Sequence, residues 1–264
     1  MVELLELAQS YVDTGRVSGI RCSTRPDALG DDVFEILSRY AVTTIELGLQ
    51  SMDDEVLRIC RRGHTAEVAR EACRRVVSHG YTLGGQMMIG LPGSDADKEL
   101  RTAREICELG AAEARVYPTV VFDGTALGEM LKAGNYTPLS DAEAAERCAP
   151  ILALFEQHGV QLLRVGLCAS EVLSSSRVLG GANHPALGEM CYSALFLQRM
   201  SALLDGQTTT GRLARFCVPY AKTSQALGQK RANANVLMAR YALADVCVHE
   251  DEALCGTQVT LTLI

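Results

Sequence analysis

The chain has 264 residues, 48% hydrophobic and 22% charged, which fits one large core or a core with a small appendage. Its net charge of -7 excludes a general attraction for nucleic acid or anionic membranes, although a local basic patch stays possible. No run of about 18 apolar residues occurs, so nothing is expected to span a bilayer, and two early glutamates without a basic apolar leader speak against a secretory signal and for the cytoplasm.

Leu4, Leu5, Ala8, Tyr11 and Val12 recur at helical spacing and predict a first helix over residues 2–14, stopped by Gly15. A strand is expected over residues 19–24. Asp31 or Asp32 is the expected cap of a helix whose stripe is Phe34, Leu37 and Tyr40. A second strand is expected over 43–50 and a short helix over 53–60. Thr65 should cap a helix with Val68, Ala69, Ala72, Val76 and Val77 inward. A third strand, 83–90, runs into Gly90-Leu91-Pro92-Gly93, and its helix is expected from Ser94 with Asp97 in a loose capping box. Residues 114–121 read as a fourth strand and 127–132 as a short helix. Ser140 and Glu143 suit a capping box for a helix to Gly159, bent at Pro150, which lacks a backbone donor. The fifth strand is 161–167. Beyond it, Ser174 to Ser176 and Gly180-Gly181 read as a loop and 186–204 as a helix. Residues 208–211 read as a linker, 216–220 as a strand, 225–241 as a helix, and 245–249 with 258–263 as a terminal hairpin. The expected division is 1–167 for the strand-helix part and 168–264 for a small α+β C-terminal extension, a second domain or a lid.

Strands and helices alternate at roughly 30-residue spacing, which argues for parallel strands with crossover helices. Parallel strands are usually apolar on both faces. Here Ile45, Leu47 and Leu49 alternate with Glu46, Gly48 and Gln50, and Leu83, Gly85, Met87 and Ile89 with Gly84, Gln86, Met88 and Gly90. Arg115, Tyr117 and Thr119 share one side of the fourth strand, and Arg164 and Gly166 one side of the fifth. The aliphatic face should meet helices; the polar face suits the lumen of a closed or partly closed barrel holding a ligand. The alternative is an antiparallel sheet with one wet face. The ten cysteines are scattered with no CxxC or CxxxCxxC, so reduced core thiols are expected and no metal site in this chain.

At the carboxyl ends of barrel strands, residues face the substrate. Those positions hold Ser23, Thr24 and Arg25; Gln50 and Ser51; Gln86 and Met88; and Tyr117 with Thr119. The set has donors and acceptors but no nucleophile-base pair, so it suits a polar cofactor; for each residue singly a turn hydrogen bond is the plain alternative. Arg61-Arg62-Gly63-His64-Thr65 precedes a helix, where an arginine can reach a carboxylate or simply form a solvated turn. The glycines around Pro92 let backbone approach a cofactor closely, or merely turn the chain. Asn183-His184-Pro185, Lys222 and Lys230-Arg231 read as structural or surface residues.

Five segments in order, 23–27, 46–51, 62–65, 86–93 and 115–119, resemble radical S-adenosylmethionine enzymes. The nearest likeness is to the group of the catalytic subunit of Elongator-type tRNA-modifying enzymes, with oxygen-independent coproporphyrinogen oxidase more distant. The resemblance covers about residues 2–189. It implies an α/β fold, a partial (β/α) barrel. It also implies contacts to S-adenosylmethionine from Ser23, Thr24, Arg25, Gln50, Ser51, Arg62, Gln86, Met88, Gly90 and Pro92. Arg62 is implied to pair with its carboxylate, Gln50 and Gln86 with its polar groups, and Gly90 and Pro92 to wall the adenine. Arg115, Tyr117 and Arg164 are implied on the substrate side. The family binds a [4Fe-4S] cluster through CxxxCxxC, and that cluster splits the sulfonium to give an adenosyl radical. That motif is absent from this sequence. The resemblance therefore implies a barrel lacking its first strands, with three readings open: a shortened enzyme inactive alone, a chain paired with a separate chain carrying the cluster, or a cluster-free regulatory module binding S-adenosylmethionine or RNA. RNA modification is implied by analogy. An ordinary barrel lyase or aldolase would want a Schiff-base lysine or a metal carboxylate cluster, and neither is seen.

Overall fold

Alternating aliphatic residues build the central element of the computed structural model, which describes residues 1–168, 173 and 177–264. The first half runs α1 (Val2–Asp13), β1 (Ile20–Thr24), α2 (Asp31–Leu37), β2 (Val42–Gln50), α3 (Asp54–Ile59), α4 (Ala66–Ser78), β3 (Thr82–Ile89), α5 (Ala96–Glu108) and β4 (Glu113–Pro118). Then come β5 (Val120–Phe122), α6 (Ala126–Lys132), α7 (Asp141–Gln157), β6 (Gln161–Val165) and β7 (Val178–Gly181). The chain finishes with α8 (Leu187–Leu204), β8 (Leu213–Val218), α9 (Thr223–Leu227), α10 (Ala232–Tyr241), β9 (Asp245–Glu250) and β10 (Thr260–Leu263).

Five strands form one parallel sheet in the order β1-β2-β3-β4-β6, which removes the antiparallel alternative. Ile45, Leu47, Leu49, Met87, Ile89 and Val116 are fully buried on one face, where α4, α5 and α7 pack. Each such side chain contributes about 1.5–3 kcal/mol relative to exposure. Gly85 lets α5 sit directly on β3: a Cβ there would lie 2.7 Å from Ile106 Cγ2. The register pairs Glu46 with Gly84, Gly48 with Gln86, Gln86 with Arg115 and Arg115 with Arg164, so these residues share the opposite face.

Several expected boundaries move. The fourth strand breaks after Pro118, and β5 leaves the main sheet to pair antiparallel with β7. Gly180 and Gly181 are therefore strand, whereas Ser174 to Ser176 lie outside the described residues. Asp95, rather than Ser94, caps α5 by accepting from Lys98 N at 2.7 Å. Gly30 stands at the N-cap of α2, with Asp31 and Asp32 in its first turn. Val68 and Val77 point outward on α4, since Ala66, Ala69, Ala72, Cys73 and Val76 fill its inner stripe. Pro150 sits inside α7 without ending it, and the Ser140–Glu143 capping box is present. The helix expected over 225–241 is broken between α9 and α10, where Lys230 and Arg231 take left-handed φ of 53° and 62°.

The terminal hairpin is replaced by a three-stranded sheet, β10-β8-β9. β9 lies parallel to β8 because α9 and α10 carry the chain back between them. Thr209 is buried and donates to the Tyr241 carbonyl at 2.6 Å, so the expected linker is packed structure. Two apolar clusters result, one running from Leu5 to Leu195 and one from Phe196 to Val246, with α8 feeding both. Among the described residues no helix is long and apolar enough to cross a membrane.

Candidate functional site

The carboxyl end of β2 is the most constrained point of the polar face. The β2–β3 register slips between Gly48 and Gln50, and Gln50 adopts φ of 66°. A non-glycine residue in that region stores strain of the kind that gathers at functional sites. The slip turns the buried Gln50 side chain back over Gly48, where a Cβ would lie 2.8 Å from Gln50 Nε2. From β3, Gln86 Nε2 donates to Gln50 Oε1 at 3.4 Å, a long bond that leaves both amides room for another partner.

Arg62 enters from the segment between α3 and α4. Its Nη2 donates to the Gly48 carbonyl at 3.1 Å, while its buried Nε has no hydrogen bond. Burial lowers its pKa, the nearby Arg25 cation adds to that, and Asp27 opposes it only in part. Asp27 is committed elsewhere: it takes a forked bond from Arg25 Nε and Nη2 at 2.9 and 2.6 Å. Arg62 is thus a half-buried cation held by a carbonyl, and a carboxylate ligand is the natural partner for its free edge.

The structure brings Gln50, Arg62 and Gln86 together, whereas Met88, two residues on from Gln86, pairs with Tyr117 on β4. Ser23 lies one layer deeper and donates to Glu46 Oε1 at 3.3 Å. Thr24 ends β1, half-exposed. Arg25 is exposed and occupied by Asp27 and by the Arg62 carbonyl at 2.9 Å, so it braces the loop that carries Arg62. Ser51 is buried and accepts from Asp53 N at 3.2 Å, as a turn residue does. Gly90 (φ 74°) and buried Pro92 form the turn after β3. Arg115, Tyr117 and Arg164 stand further across the sheet on the same face.

Sequence reasoning did not give Glu46, Glu99 or Tyr136 as site residues, and it named His64 only within a turn. Glu46, almost fully buried, lies 2.9 Å from Arg115 Nε and 3.6 Å from Arg21 Nη1. The Arg115 N–H is poorly aimed at that oxygen, so the ion pair leaves Nε without a hydrogen bond. Gly84 makes room for Glu46, whose Cβ would be 3.3 Å from a Cβ at that position. Glu99 and Tyr136 hold Gly90 from behind. Glu99 Oε1 accepts from Gly90 N at 2.7 Å and Arg147 Nη1 at 3.2 Å, and Tyr136 Oη donates to the Gly90 carbonyl at 2.6 Å. Burial pushes the Glu99 carboxyl up, and the Tyr136 phenol up to about 12. His64 is buried, with the Leu49 carbonyl beside its ring but neither nitrogen in a well-aimed hydrogen bond. Glu46 was visible in the strand alternation; the other partners lie far apart in the chain and leave no local signal.

Among the described residues, no three His, Cys, Asp or Glu side chains gather to hold a metal. The donor set fits a zwitterionic, hydrogen-bonding small molecule, with Arg62 toward an anionic group and two amides toward polar ones.

The Radical SAM superfamily profile matches residues 1–106, and the Radical_SAM C-terminal domain profile matches residues 112–195. The tRNA uridine(34) acetyltransferase of Methanocaldococcus jannaschii is 30% identical over 193 residues, covering 71% of this chain and 35% of that protein. Elongator complex protein 3 of Schizosaccharomyces pombe is 33% identical over 139 residues, covering 52% of this chain and 26% of that protein. Elp3 of Methanocaldococcus infernus with an N-terminal deletion superposes with a TM-score of 0.60 at 24% identity, covering 69% of this chain and 42% of that one. The chain therefore spans about a third of the length of the curated relatives it matches.

Proposed function

Because the chain belongs to the radical S-adenosylmethionine superfamily, in its Elp3-like family, we propose that the polar face at the carboxyl ends of β2 and β3 binds S-adenosylmethionine. Arg62 holds the methionine carboxylate, Gln50 and Gln86 take its amino and ribose groups, and the Gly90–Pro92 turn walls the adenine. Ser23, Thr24 and Met88 line the approach; Arg25 and Ser51 position Arg62 and Gln50. The five parallel strands are read as part of a (β/α) barrel, with the outer edge of β1 as the place where further strands would add.

When reduced in such enzymes, this cofactor supplies a 5′-deoxyadenosyl radical that abstracts hydrogen. This chain's own residues bind and orient it; among the described residues no set of side chains gathers to hold a cluster. In this reading the cluster ligands come from protein other than the described residues, in the same polypeptide or a separate one. The substrate class is RNA, on the strength of the relatives named for tRNA uridine.

The observation that carries the reading is the convergence of a strained Gln50, Gln86 and an Arg62 without a carboxylate among the described residues at the carboxyl ends of β2 and β3. Calorimetry with S-adenosylmethionine tests it. Binding is expected, and Arg62→Ala should weaken it by about tenfold or more, the worth of a hydrogen bond to a charged group. No binding, or binding indifferent to Arg62, overturns the reading. Iron and sulfide reconstitution of the same chain should give no cubane spectrum. Cofactor binding together with a stable cluster and cofactor cleavage would favour a self-sufficient enzyme; binding without either favours a cofactor-binding module.

A further inference from the structure

The charges on the polar face do not balance locally. Arg21 pairs with Glu113 and lies near Glu46, and Arg115 pairs with Glu46. Arg164 has no carboxylate among the described residues; its Nη1 donates to Cys168 Sγ at 2.6 Å. The register sets Arg164 directly beside Arg115 on the neighbouring strand, roughly 4.8 Å away along the ladder. Two guanidinium groups on one face of adjacent strands repel unless an anion sits between them. Tyr117, two residues on from Arg115, accepts from Arg115 Nη1 at 3.2 Å and keeps its own hydroxyl hydrogen for another acceptor. All this sits in a molecule of net charge -7, where a local positive face marks the place for an anion.

We propose that Arg115, Arg164 and Tyr117 form an oxyanion subsite that receives a phosphoryl group of the substrate. The N–H groups that Glu46, Tyr117 and Cys168 leave open on the two guanidinium groups, with the phenol, offer donors from three directions; the non-coplanar oxygens of a tetrahedral phosphoryl group match them better than a planar carboxylate does. The register also places Arg115 beside Gln86, so the phosphoryl group is held one strand from the proposed cofactor site. That placement rests on the reading of Gln86 as a cofactor residue; the subsite itself rests on the arginine pair. The phosphoryl group can belong to a nucleotide monoester or to the diester of an RNA strand.

Calorimetry of the 264-residue chain with uridine 5′-monophosphate, the dinucleotide UpU and uridine tests the subsite. The expected result is that the phosphorylated probes bind and uridine does not at the same millimolar concentrations. Arg164→Gln should weaken that binding by about tenfold, Arg164→Lys should recover part of it, and Tyr117→Phe should weaken it less than Arg164→Gln. Binding of the monophosphate alone assigns a monoester; binding of UpU with the same Arg164 dependence assigns the RNA backbone. Equal binding of uridine, no binding of either phosphorylated probe, or indifference to Arg164→Gln overturns the proposal. Arg164 is exposed, so Arg164→Gln should keep the wild-type melting temperature, and Tyr117→Phe supplies the test if it does not. S-adenosylmethionine is titrated in the same series. Its failure to bind with phosphoryl binding intact removes the cofactor reading alone, and the converse removes the subsite alone.

Discussion

Gln50 carries a Cβ at φ of 66°, where a side chain costs about 1–2 kcal/mol relative to the right-handed region. Glycine there would relieve the strain but lose the amide. Gln50→Gly should therefore leave urea stability unchanged or raise it by up to about 1 kcal/mol, since glycine's extra chain entropy offsets part of the gain. The same change should weaken S-adenosylmethionine binding in calorimetry. A variant that is less stable yet binds normally contradicts the assignment. His64 makes a second residue-scale prediction. Burial lowers its pKa first, the Arg62 cation adds to this, and Asp27 and the Leu49 carbonyl oppose it. A histidine with a depressed folded pKa binds fewer protons folded than unfolded below about pH 6.5. Its contribution is therefore fully present above that pH and is lost as pH falls. Wild type should lose urea stability between pH 7 and 5 by more than His64→Phe does; parallel pH curves for the two proteins would refute the assignment. Strand alternation marked the amides in the sequence by placing them near strand ends, and the Arg61–Thr65 turn before a helix marked Arg62. His64 was singled out only as part of a turn, since nothing in its neighbours shows that both nitrogens end up buried without a well-aimed hydrogen bond.

Elements were legible where one local rule decides them. The sheet follows from the period of two between aliphatic and polar residues, and α7 from the Ser140–Glu143 box. Elements decided by distant partners were misread. β5 departs from β4 because β7 offers it an antiparallel partner, and β9 and β10 both seek β8 rather than each other. Neither choice has a local marker. The glycine run in β3 shows what the sequence could say only ambiguously. Gly84 clears space for Glu46 on the polar face, and Gly85 lets α5 approach on the other. The two positions should therefore answer differently to the same change. Gly85→Ala forces a Cβ to 2.7 Å from Ile106 and should cost roughly 1–3 kcal/mol by overpacking. Gly84→Ala meets Glu46 Cβ at 3.3 Å and its Cα at 3.4 Å, contacts that a shift of a few tenths of an ångström between the strands relieves, and should cost less. Chemical denaturation of both variants checks the order; equal losses would mean that α5 does not press on β3 as closely as the packing shows.

At the scale of the molecule, the question is what ties the β8–β9–β10 sheet to the five-stranded one. α8 passes through both apolar clusters, since Cys191 and Leu195 belong to the first and Phe196, Met200 and Leu204 to the second. A polar staple adds to it at the far end of α7. Glu156 accepts from Thr257 N at 2.6 Å and from Arg199 Nη2 at 2.7 Å, joining α7, α8 and the loop before β10. Glycine suits position 256 beside it, where φ is 61° and a Cβ would run into the Glu156 carboxylate. The carboxylate is about one-third exposed, so solvent screening limits its worth. Its leverage is nevertheless directional: it fixes the loop that feeds β10 onto the central strand β8. Glu156→Ala should therefore speed amide hydrogen exchange in β10 and in the loop at 251–259, where local opening no longer breaks the staple. Exchange in β2 and β3, buried in the first cluster and remote from Thr257, should stay at the wild-type rate. If exchange accelerates equally in both sheets, the molecule opens as one cooperative unit and the continuity of α8, rather than Glu156, is what binds its halves.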